Sequence, residues 1–473
     1  MLFSSQFPVT SDLIHVENGS TFVAIKGFAH NGADFIDQAI QKGATHIVID
    51  TTTQPPSLPA HVQLTIVDDT RKALAQLAAQ KNNNPAQALT IIGITGTAGK
   101  TTTTFLIEHL IRFAGITTAL LGSIKNKIAT YEEESTLTSP PADYLHMFFA
   151  ECIKKDVSTV VMEVSSHALA LHRVYGIPFT AAGFTNLSPE HMDFHPTLEH
   201  YYETKKMLFS MLVPHGISVT NIDNPWGNKL AQELQTTTPH QTLQPLTNNL
   251  SHPNTFSCVQ NDTKGITLTL AQAPNYTFYC PTLFGSYNAY NISMALFIAH
   301  HTCKIPWDTL QQALASFPGV PGRLQMHALK NGATAVIDFA HKPDALQSVL
   351  STLRPLTNNL TVVFGCGGNR DTSKRPVMGN IAATIADAVI ITDDNPRNED
   401  RMSIAQAIYA GIPKELRAKT SIELDRATAI QKAIAQSTPT SIVAVVGKGN
   451  ETYYLINGIK HHFSDQEEIL KYT

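Results

Sequence analysis

The stretch LTIIGITGTAGKTTTTFLIEHLIRFAG, Leu89–Gly115, constrains the fold more than any other part of the chain. An apolar run of strand length passes through a short glycine turn directly into a helical pattern. A strand that feeds a helix in this way returns to its sheet by a crossover, which makes neighbouring strands parallel. The pattern continues in VSTVVMEV, AAGFTNL and GISVTNID, and again in TAVIDFA, LTVVFGCGG, DAVIITDD and SIVAVVGKG. Near TFSCVQNDTKGITLTLAQAPNYTFYC the period shortens towards two, which predicts an antiparallel excursion before the helix NAYNISMALFIAHH. Upstream, TFVAIKG and THIVID read as strands, and ADFIDQAIQKG between them as a helix closed by Gly43.

These signals predict an α/β protein of three domains: a small N-terminal α/β domain, a central P-loop-type ATPase domain with a mostly parallel sheet, and a C-terminal Rossmann-like domain. The boundaries fall at the polar, proline-bearing KNNNPAQA (Lys81–Ala88) and at the break in SFPGVPGRLQ, giving residues 1–88, 89–318 and 319–473. A length of 473 residues independently exceeds what one hydrophobic core organises. Two domains with nucleotide-type layouts suggest a site in a cleft between them.

Composition removes several functional classes. A hydrophobic content of 43% with 15% charged residues is that of a globular chain. The formal net charge of −4 argues against a nucleic-acid binder, which would carry a basic stripe. The five cysteines are scattered without CxxC spacing, so zinc and disulfide frameworks are not expected. No leader pattern and no stretch of about 18 apolar residues occurs, which predicts a cytoplasmic protein without membrane insertion.

GITGTAGKTTT stands between strand and helix, the context in which a glycine loop cradles phosphate. Gly96 and Gly99 would let the backbone approach phosphate oxygens, the exposed amides at the helix start would attract the anion, and Thr97, Ala98 and Thr102 are expected to bind ATP in the same loop. Lys100 would meet the β- and γ-phosphates, and Thr101 would hold magnesium. Ile94 occupies the place where the longer P-loop pattern has its first glycine, leaving a compact T-G-T-x-G-K-T form.

That compact loop, with MEVSSHAL, TNLSPEHMDFH, EHYYETKKMLF, GSYNAYN, PGRLQ, DFAHKPDAL, GCGGNRDTSKRP, DDNPR and GKGNETYY in this order, resembles the Mur ligases over nearly the whole chain. The resemblance implies an ATP-dependent amide ligase of peptidoglycan precursor synthesis that phosphorylates a peptide carboxylate and then couples an amine to it. Its cofactors would be ATP and Mg2+, and its substrates a UDP-linked muramoyl dipeptide and meso-diaminopimelate; a monomer is expected. Glu163 and His191, near the ends of predicted parallel strands, would converge on the metal with Thr101. Lys205 would be carbamylated, since an ammonium beside metal ions is repelled and a carbamate attracted. Asn291, Arg323, Asp338 and His341 match ATP contacts, with Arg323 arriving as the domains close. Thr138, Ser139, Ser165 and Arg173 match residues that hold the muramoyl dipeptide.

DDNPR ends the strand ADAVII, at the edge where open α/β sheets bind ligands. In Mur ligases this motif marks enzymes that add diaminopimelate rather than lysine. Arg397 and Arg370 would pair with the carboxylate that lysine lacks. Asp394 and Glu451 would take the ammonium, with Asn395, Pro396 and Gly447 completing the pocket.

The first domain departs most from the family pattern. Leu13 and Ile14 stand where Mur ligases carry the Ser and Arg of a D-S-R element that cradles the diphosphate, and the loop GFAHNGADF also differs. Lesser departures are Ala98, Leu171 and Asn450. Two alternatives stay open here: a folylpolyglutamate-synthetase-like ligase, and a nucleotide-binding scaffold without catalysis.

Overall fold

The computed structural model describes residues 2–4, 6–28, 30–237, 242–249, 251–253, 255–262 and 264–473. Ala29 of GFAHNGADF and Thr263 of the period-two stretch therefore lie outside the described residues. The chain forms two compact units. One comprises Met1–Val259, Leu268–Tyr279 and Tyr287–Ser316, and the other Gln260–Thr267, Cys280–Ser286 and Phe317–Thr473.

The first unit contains two sheets. Strands Phe7–Thr10, Val16–Val23, His46–Asp50 and Gln63–Val67 pair in that order, all parallel. The helix Thr70–Lys81 packs on this sheet through Ala73, Leu74, Ala75 and Ala78. Its start is fixed by Asp69, whose carboxylate accepts from the Arg71 and Lys72 amides. The predicted helix ADFIDQAIQKG divides into a 3-10 turn, Gly32–Phe35, and an α-helix, Ile36–Gln41. KNNNPAQA is a packed joint rather than a solvated tether: Pro85 and Ala86 are buried, and Ala86 joins the core of the following sheet.

That sheet has eight strands, in the order Thr242–Leu246, Leu212–Asn221, Phe179–Phe184, Thr90–Thr95, Thr159–Glu163, Thr118–Leu121, Lys125–Ile128 and Tyr131–Glu134. The first six are mutually parallel, and the last two fold back antiparallel. Helices Lys100–Phe113 and Ser286–Cys303 are buried along most of their length, and their buried residues include Thr101–Thr104, Glu108 and His109 in the first and Asn288, Asn291 and Ser293 in the second. The period-two stretch forms the strands Phe256–Asp262, Gly265–Leu270 and Ala273–Cys280 of one small sheet.

In the second unit, Ile442–Val446 lies between Thr334–Asp338 and Leu360–Phe364, followed outward by Ala388–Ile391 and Thr420–Ile422, all parallel. Gln325–Ala328 caps the other edge antiparallel. The hairpin Tyr453–Ile456 and Ile459–His462 stands apart from this sheet. No helix among the described residues is long and apolar enough to cross a membrane.

Candidate active site

Parallel strands direct their carboxyl ends to one edge, and the first unit places its polar loops there. Glu163 pairs in register with Ile94, and Phe184 with Thr95. The loops after Thr95, Glu163 and Phe184, carrying the phosphate loop, Ser165 and His191, therefore leave the same sheet edge.

Close packing explains both loop glycines. Gly96 has φ +144°, and a Cβ there would lie 1.9 Å from Thr185 Oγ1. At Gly99, φ +86°, a Cβ would meet Asn291 Oδ1 at 2.6 Å. Asn291 thus lies beside the loop as expected, although its amide is turned inward: Oδ1 accepts from Thr103 Oγ1 at 3.2 Å and Nδ2 donates to Asn288. Asn186 brackets Ala98, accepting from its amide at 3.0 Å and donating to its carbonyl at 3.2 Å. The loop's form is held from the neighbouring strand end, so the alanine at position 98 needs no polar side chain.

Lys100 Nζ donates to the carbonyls of Gly96, at 2.9 Å, and Thr97, at 2.8 Å. Lys205, on the helix Leu198–Ser210, donates to the same Gly96 carbonyl at 2.8 Å and lies over the Tyr201 ring. Its residue is only 1% exposed. Burial, reinforced by the nearby Lys100 charge, holds its amine well below the usual lysine range, opposed in part by Glu190. Thr101 and Thr102 lie buried at the helix start.

Glu163 is buried and held by Ser123, whose amide donates to Oε1 at 2.8 Å and whose hydroxyl donates to Oε2 at 3.1 Å. A Cβ on Gly122 would meet Oε1 at 2.7 Å. The Ser123 hydroxyl is also 3.0 Å from Thr138 Oγ1. Ser139 donates to the Glu163 carbonyl, accepts from the Ser165 amide, and receives the Arg173 guanidinium on its own carbonyl at 2.7 Å. The structure therefore gathers Thr138, Ser139, Ser165 and Arg173 around Glu163. His191 adopts φ +58°, and its ring stands edge-on to His167 with centroids 4.9 Å apart.

In the second unit the loops after Asp338, Phe364, Ile391 and Val446 leave one edge of the six-stranded sheet. Asp338 is buried, and its two oxygens accept from the Leu324 and Ala340 amides at 2.8 Å each. It orders the turn that carries Arg323, whose guanidinium stacks over Phe339. Burial raises the Asp338 carboxyl, and the Arg323 charge opposes this. His341 bonds back to the Phe339 carbonyl, and burial lowers its imidazole.

Arg397 occupies the left-handed region, φ +54°, uncommon for a side chain of its size. Its backbone bridges to the hairpin through Leu455 and Asn457, and its Nη1 donates to the Gly368 carbonyl at 2.9 Å. A Cβ at Gly367 would approach that nitrogen to 2.7 Å, so glycine makes room for the guanidinium. Asp394 lies against Gly447, where a Cβ would meet Oδ2 at 2.9 Å. Arg370 is exposed, and Pro396 accepts from the Glu399 amide.

Asn395 is the hub of this region. Its amide donates to Glu451 Oε2 at 2.8 Å, while its carbonyl accepts from the Leu455 amide at 2.8 Å. Glu451 also receives Lys448 Nζ at 3.1 Å, and Lys448 is 0% exposed. Lys448 and Ser123 were not singled out from sequence. The GK pair in GKGNETYY was the available signal for Lys448; Ser123 follows a short strand with no motif of its own.

A phosphate loop and a charged strand-end pocket on parallel α/β sheets define a nucleotide-dependent enzyme class. Known families describe all three regions. The description "Mur ligase family, catalytic domain" matches residues 9–82, "Mur ligase middle domain" residues 94–299, and "Mur ligase, glutamate ligase domain" residues 322–449. The UDP-N-acetylmuramoyl-L-alanyl-D-glutamate–2,6-diaminopimelate ligase of Parasynechococcus marenigrum (strain WH8102) is 38% identical, covering 97% of this chain and 93% of its own. The enzyme of that name from Chlorobaculum tepidum (strain ATCC 49652 / DSM 12025 / NBRC 103806 / TLS) is 37% identical over 97% of this chain and 91% of its own. A solved structure of a ligase with the same name superposes with a TM-score of 0.71 at 29% identity, covering 98% of this chain and 94% of that one. The chain belongs to the Mur ligase family.

Proposed function

We propose that this chain joins meso-2,6-diaminopimelate to UDP-N-acetylmuramoyl-L-alanyl-D-glutamate with conversion of ATP to ADP, as a cytoplasmic monomer organised in domains 1–88, 89–318 and 319–473. The observation that carries this reading is the buried Lys205 amine on the phosphate-loop carbonyl of Gly96, in a chain 38% identical to a diaminopimelate ligase. A scaffold would have no use for a buried, charge-depressed lysine at a phosphate loop, and the similarity to diaminopimelate ligases favours this reading over folylpolyglutamate synthesis.

The dipeptide carboxylate attacks the γ-phosphorus of ATP, forming an acyl phosphate and releasing ADP. The diaminopimelate amine then attacks the acyl carbon, a proton leaves the nitrogen, and phosphate departs. Lys100 and the loop amides hold the phosphates, and Asn291 buttresses Gly99. Thr138, Ser139, Ser165 and Arg173 fix the dipeptide beside Glu163, with the Arg173 fork suited to a carboxylate. Arg323 is proposed as an ATP contact positioned by Asp338, with His341 on the same strand-end loop. Arg397, Arg370, Asp394 and Glu451 take the diaminopimelate amino-acid end, shaped by Asn395, Pro396 and Gly447.

Lys205 is disposed to react with carbon dioxide because its amine is driven towards the neutral, nucleophilic form. A C–N bond forms, one proton is lost, and the product is a carbamate anion.

Among the described residues no three His, Cys, Asp or Glu side chains converge to hold a metal unaided. The donor set fits Mg2+, which favours hard oxygen ligands and relies largely on substrate phosphates and water. Thr101, Glu163, His191 and carbamylated Lys205 would hold it, and it would supply charge neutralisation as two anions meet.

The test is product mass after incubation with ATP, Mg2+, the UDP-linked dipeptide and a panel of amino acids. Selective consumption of diaminopimelate is expected. Preference for lysine, or turnover only with folate and glutamate, would overturn the assignment.

A further inference from the structure

Arg426 is the first residue of the helix Arg426–Ala435, and its side chain is fully buried. Its Nε donates to Asp465 Oδ1 at 2.6 Å and its Nη2 to Oδ2 at 2.7 Å. Asp465 is the first residue of the helix Asp465–Leu470 and is equally buried. The guanidinium does more than close this bidentate pair. Nη1 donates to the Asp393 carbonyl at 3.1 Å, and Nη2 to the Val446 carbonyl at 3.0 Å.

Asp393 immediately precedes Asp394, and Val446 immediately precedes Gly447. Each bond therefore fixes a peptide that leads into a residue of the strand-end pocket. Asp393 lies just beyond the strand Ala388–Ile391, and Val446 ends the strand Ile442–Val446. Leu360–Phe364 runs between these two strands, so the sheet's own ladder does not tie one to the other. Yet Asp394 and Gly447 must meet closely, since a Cβ on Gly447 would lie 2.9 Å from Asp394 Oδ2. Arg426 spans the intervening strand and joins the two ends directly.

Adhesion of the helices does not require this pair. Ala429, Ile430 and Ala433 of one and Ile469 of the other share an apolar core with Val443 and Val445. A buried ion pair also loses much of its attraction to desolvation, so apolar residues of similar volume often stabilise a fold as well. What they cannot do is hold two carbonyls at a set separation, as a planar guanidinium can. Burial works against the Arg426 charge, but the Asp465 carboxylate overrides it and holds the guanidinium above its ordinary range. The Asp394 charge contributes in the same direction, so Arg426 and Asp394 lie within electrostatic reach.

We propose that Arg426, locked by Asp465, is a positioning residue for the diaminopimelate pocket: by holding the Asp393 and Val446 carbonyls it sets Asp394 against Gly447 before the amino acid arrives. This rests on the reading of that strand end as the site for the diaminopimelate amino-acid end. A pocket preset in this way binds its ligand without first ordering two loops.

The test is steady-state kinetics of the full chain with ATP, Mg2+, the UDP-linked dipeptide and diaminopimelate. The double variant Arg426→Met/Asp465→Leu replaces the pair by apolar side chains and should keep the parent's circular dichroism spectrum and cooperative melting. Its KM for diaminopimelate should rise roughly 10-fold, while the KM values for ATP and the dipeptide stay at the parent's. Arg426→Lys, which keeps a charge beside Asp465 but lacks the fork, should show the same split and is read in place of the double variant if that melts below the assay temperature. A parent-like KM for diaminopimelate in the folded variant overturns the inference, as does melting of both variants below the assay temperature, which would assign the pair to stability alone. Asp394→Asn separates the two readings: if it raises the diaminopimelate KM and the pair variants do not, the positioning role alone falls. If Asp394→Asn leaves that KM unchanged, the pocket assignment falls and the inference with it.

Discussion

Lys205 Nζ and Lys100 Nζ donate to the same carbonyl oxygen, that of Gly96, at 2.8 and 2.9 Å. One acceptor shared by two lysine amines in a buried setting penalises double protonation, and burial together with the Lys100 charge holds the Lys205 amine well below the usual lysine range. A lysine whose neutral form is favoured is a nucleophile for carbon dioxide, whereas an exposed lysine remains an ammonium.

Depleting bicarbonate and carbon dioxide from the assay should therefore lower kcat, and restoring them should recover it. Lys205→Arg, which keeps a permanent charge, should remove activity while ADP binding persists. Intact-mass analysis of the parent under carbon dioxide, carried out without acid, should show one added carbon dioxide that Lys205→Arg lacks. Full activity in Lys205→Arg would refute a role for the carbamate.

Gly122 and Ser123 should be as sensitive as motif residues. Gly122→Ala places a methyl 2.7 Å from Glu163 Oε1, so the carboxylate must move. A loss of kcat of at least 10-fold with little change in Tm is expected. Ser123→Ala removes one hydroxyl bond to Glu163 and should cost on the order of 1–2 kcal/mol of stability, read by denaturant titration.

Lys448→Met should act through position rather than contact. It removes the ammonium that holds Glu451 and Asn395, leaving a partly buried carboxylate with the Asn395 amide but without its ion-pair partner. Breaking such a pair costs about 3 kcal/mol. The KM for diaminopimelate should rise, while the KM for ATP stays near the parent value.

Arg397→Ala should reduce the preference for diaminopimelate over lysine by about 10- to 100-fold in kcat/KM, the scale of a charged hydrogen bond. An undiminished preference would place the discrimination elsewhere in the strand-end pocket.

His146 offers a pH prediction remote from the chemistry. It is 2% exposed, neither ring nitrogen has a hydrogen-bond partner among the described residues, and burial lowers its pKa to about 4. The folded state holds it neutral, while the unfolded chain binds a proton near pH 6.5. Its contribution is fully present above that value and is lost as pH falls from about 6.5 towards 4, where the unfolded state binds more protons. The shift corresponds to on the order of 3 kcal/mol. His146→Leu should flatten the pH dependence of Tm across this window.

Much of the fold was legible because strand and helix periods recur with glycine turns between them, and because parallel pairing follows from the crossovers. LTIIGIT and its helix appear as Thr90–Thr95 and Lys100–Phe113. The joint KNNNPAQA reads as a linker in sequence, yet Pro85 and Ala86 are buried, since composition reports solubility and not packing.

The motif residues at the site were similarly visible, because phosphate loops and strand-end charges need particular residue types at fixed local spacing. Their supports were not. Ser123 reaches Glu163 across 40 positions, Asn186 reaches Ala98 across 88, and Lys448 reaches Asn395 across 53. A serine, an asparagine or a lysine carries no local signature of such a partner.

The sequence by itself determined the family, the alternation of elements and the places where charge is presented at strand ends, since these are local patterns. Tertiary structure alone decided that Lys205 is buried on the Gly96 carbonyl, that Ser123 fixes Glu163, and that Asn395 turns inward to Glu451. Burial and hydrogen-bond distance arise only when distant segments meet, and they decide which lysine has its pKa lowered and which carboxylate is held.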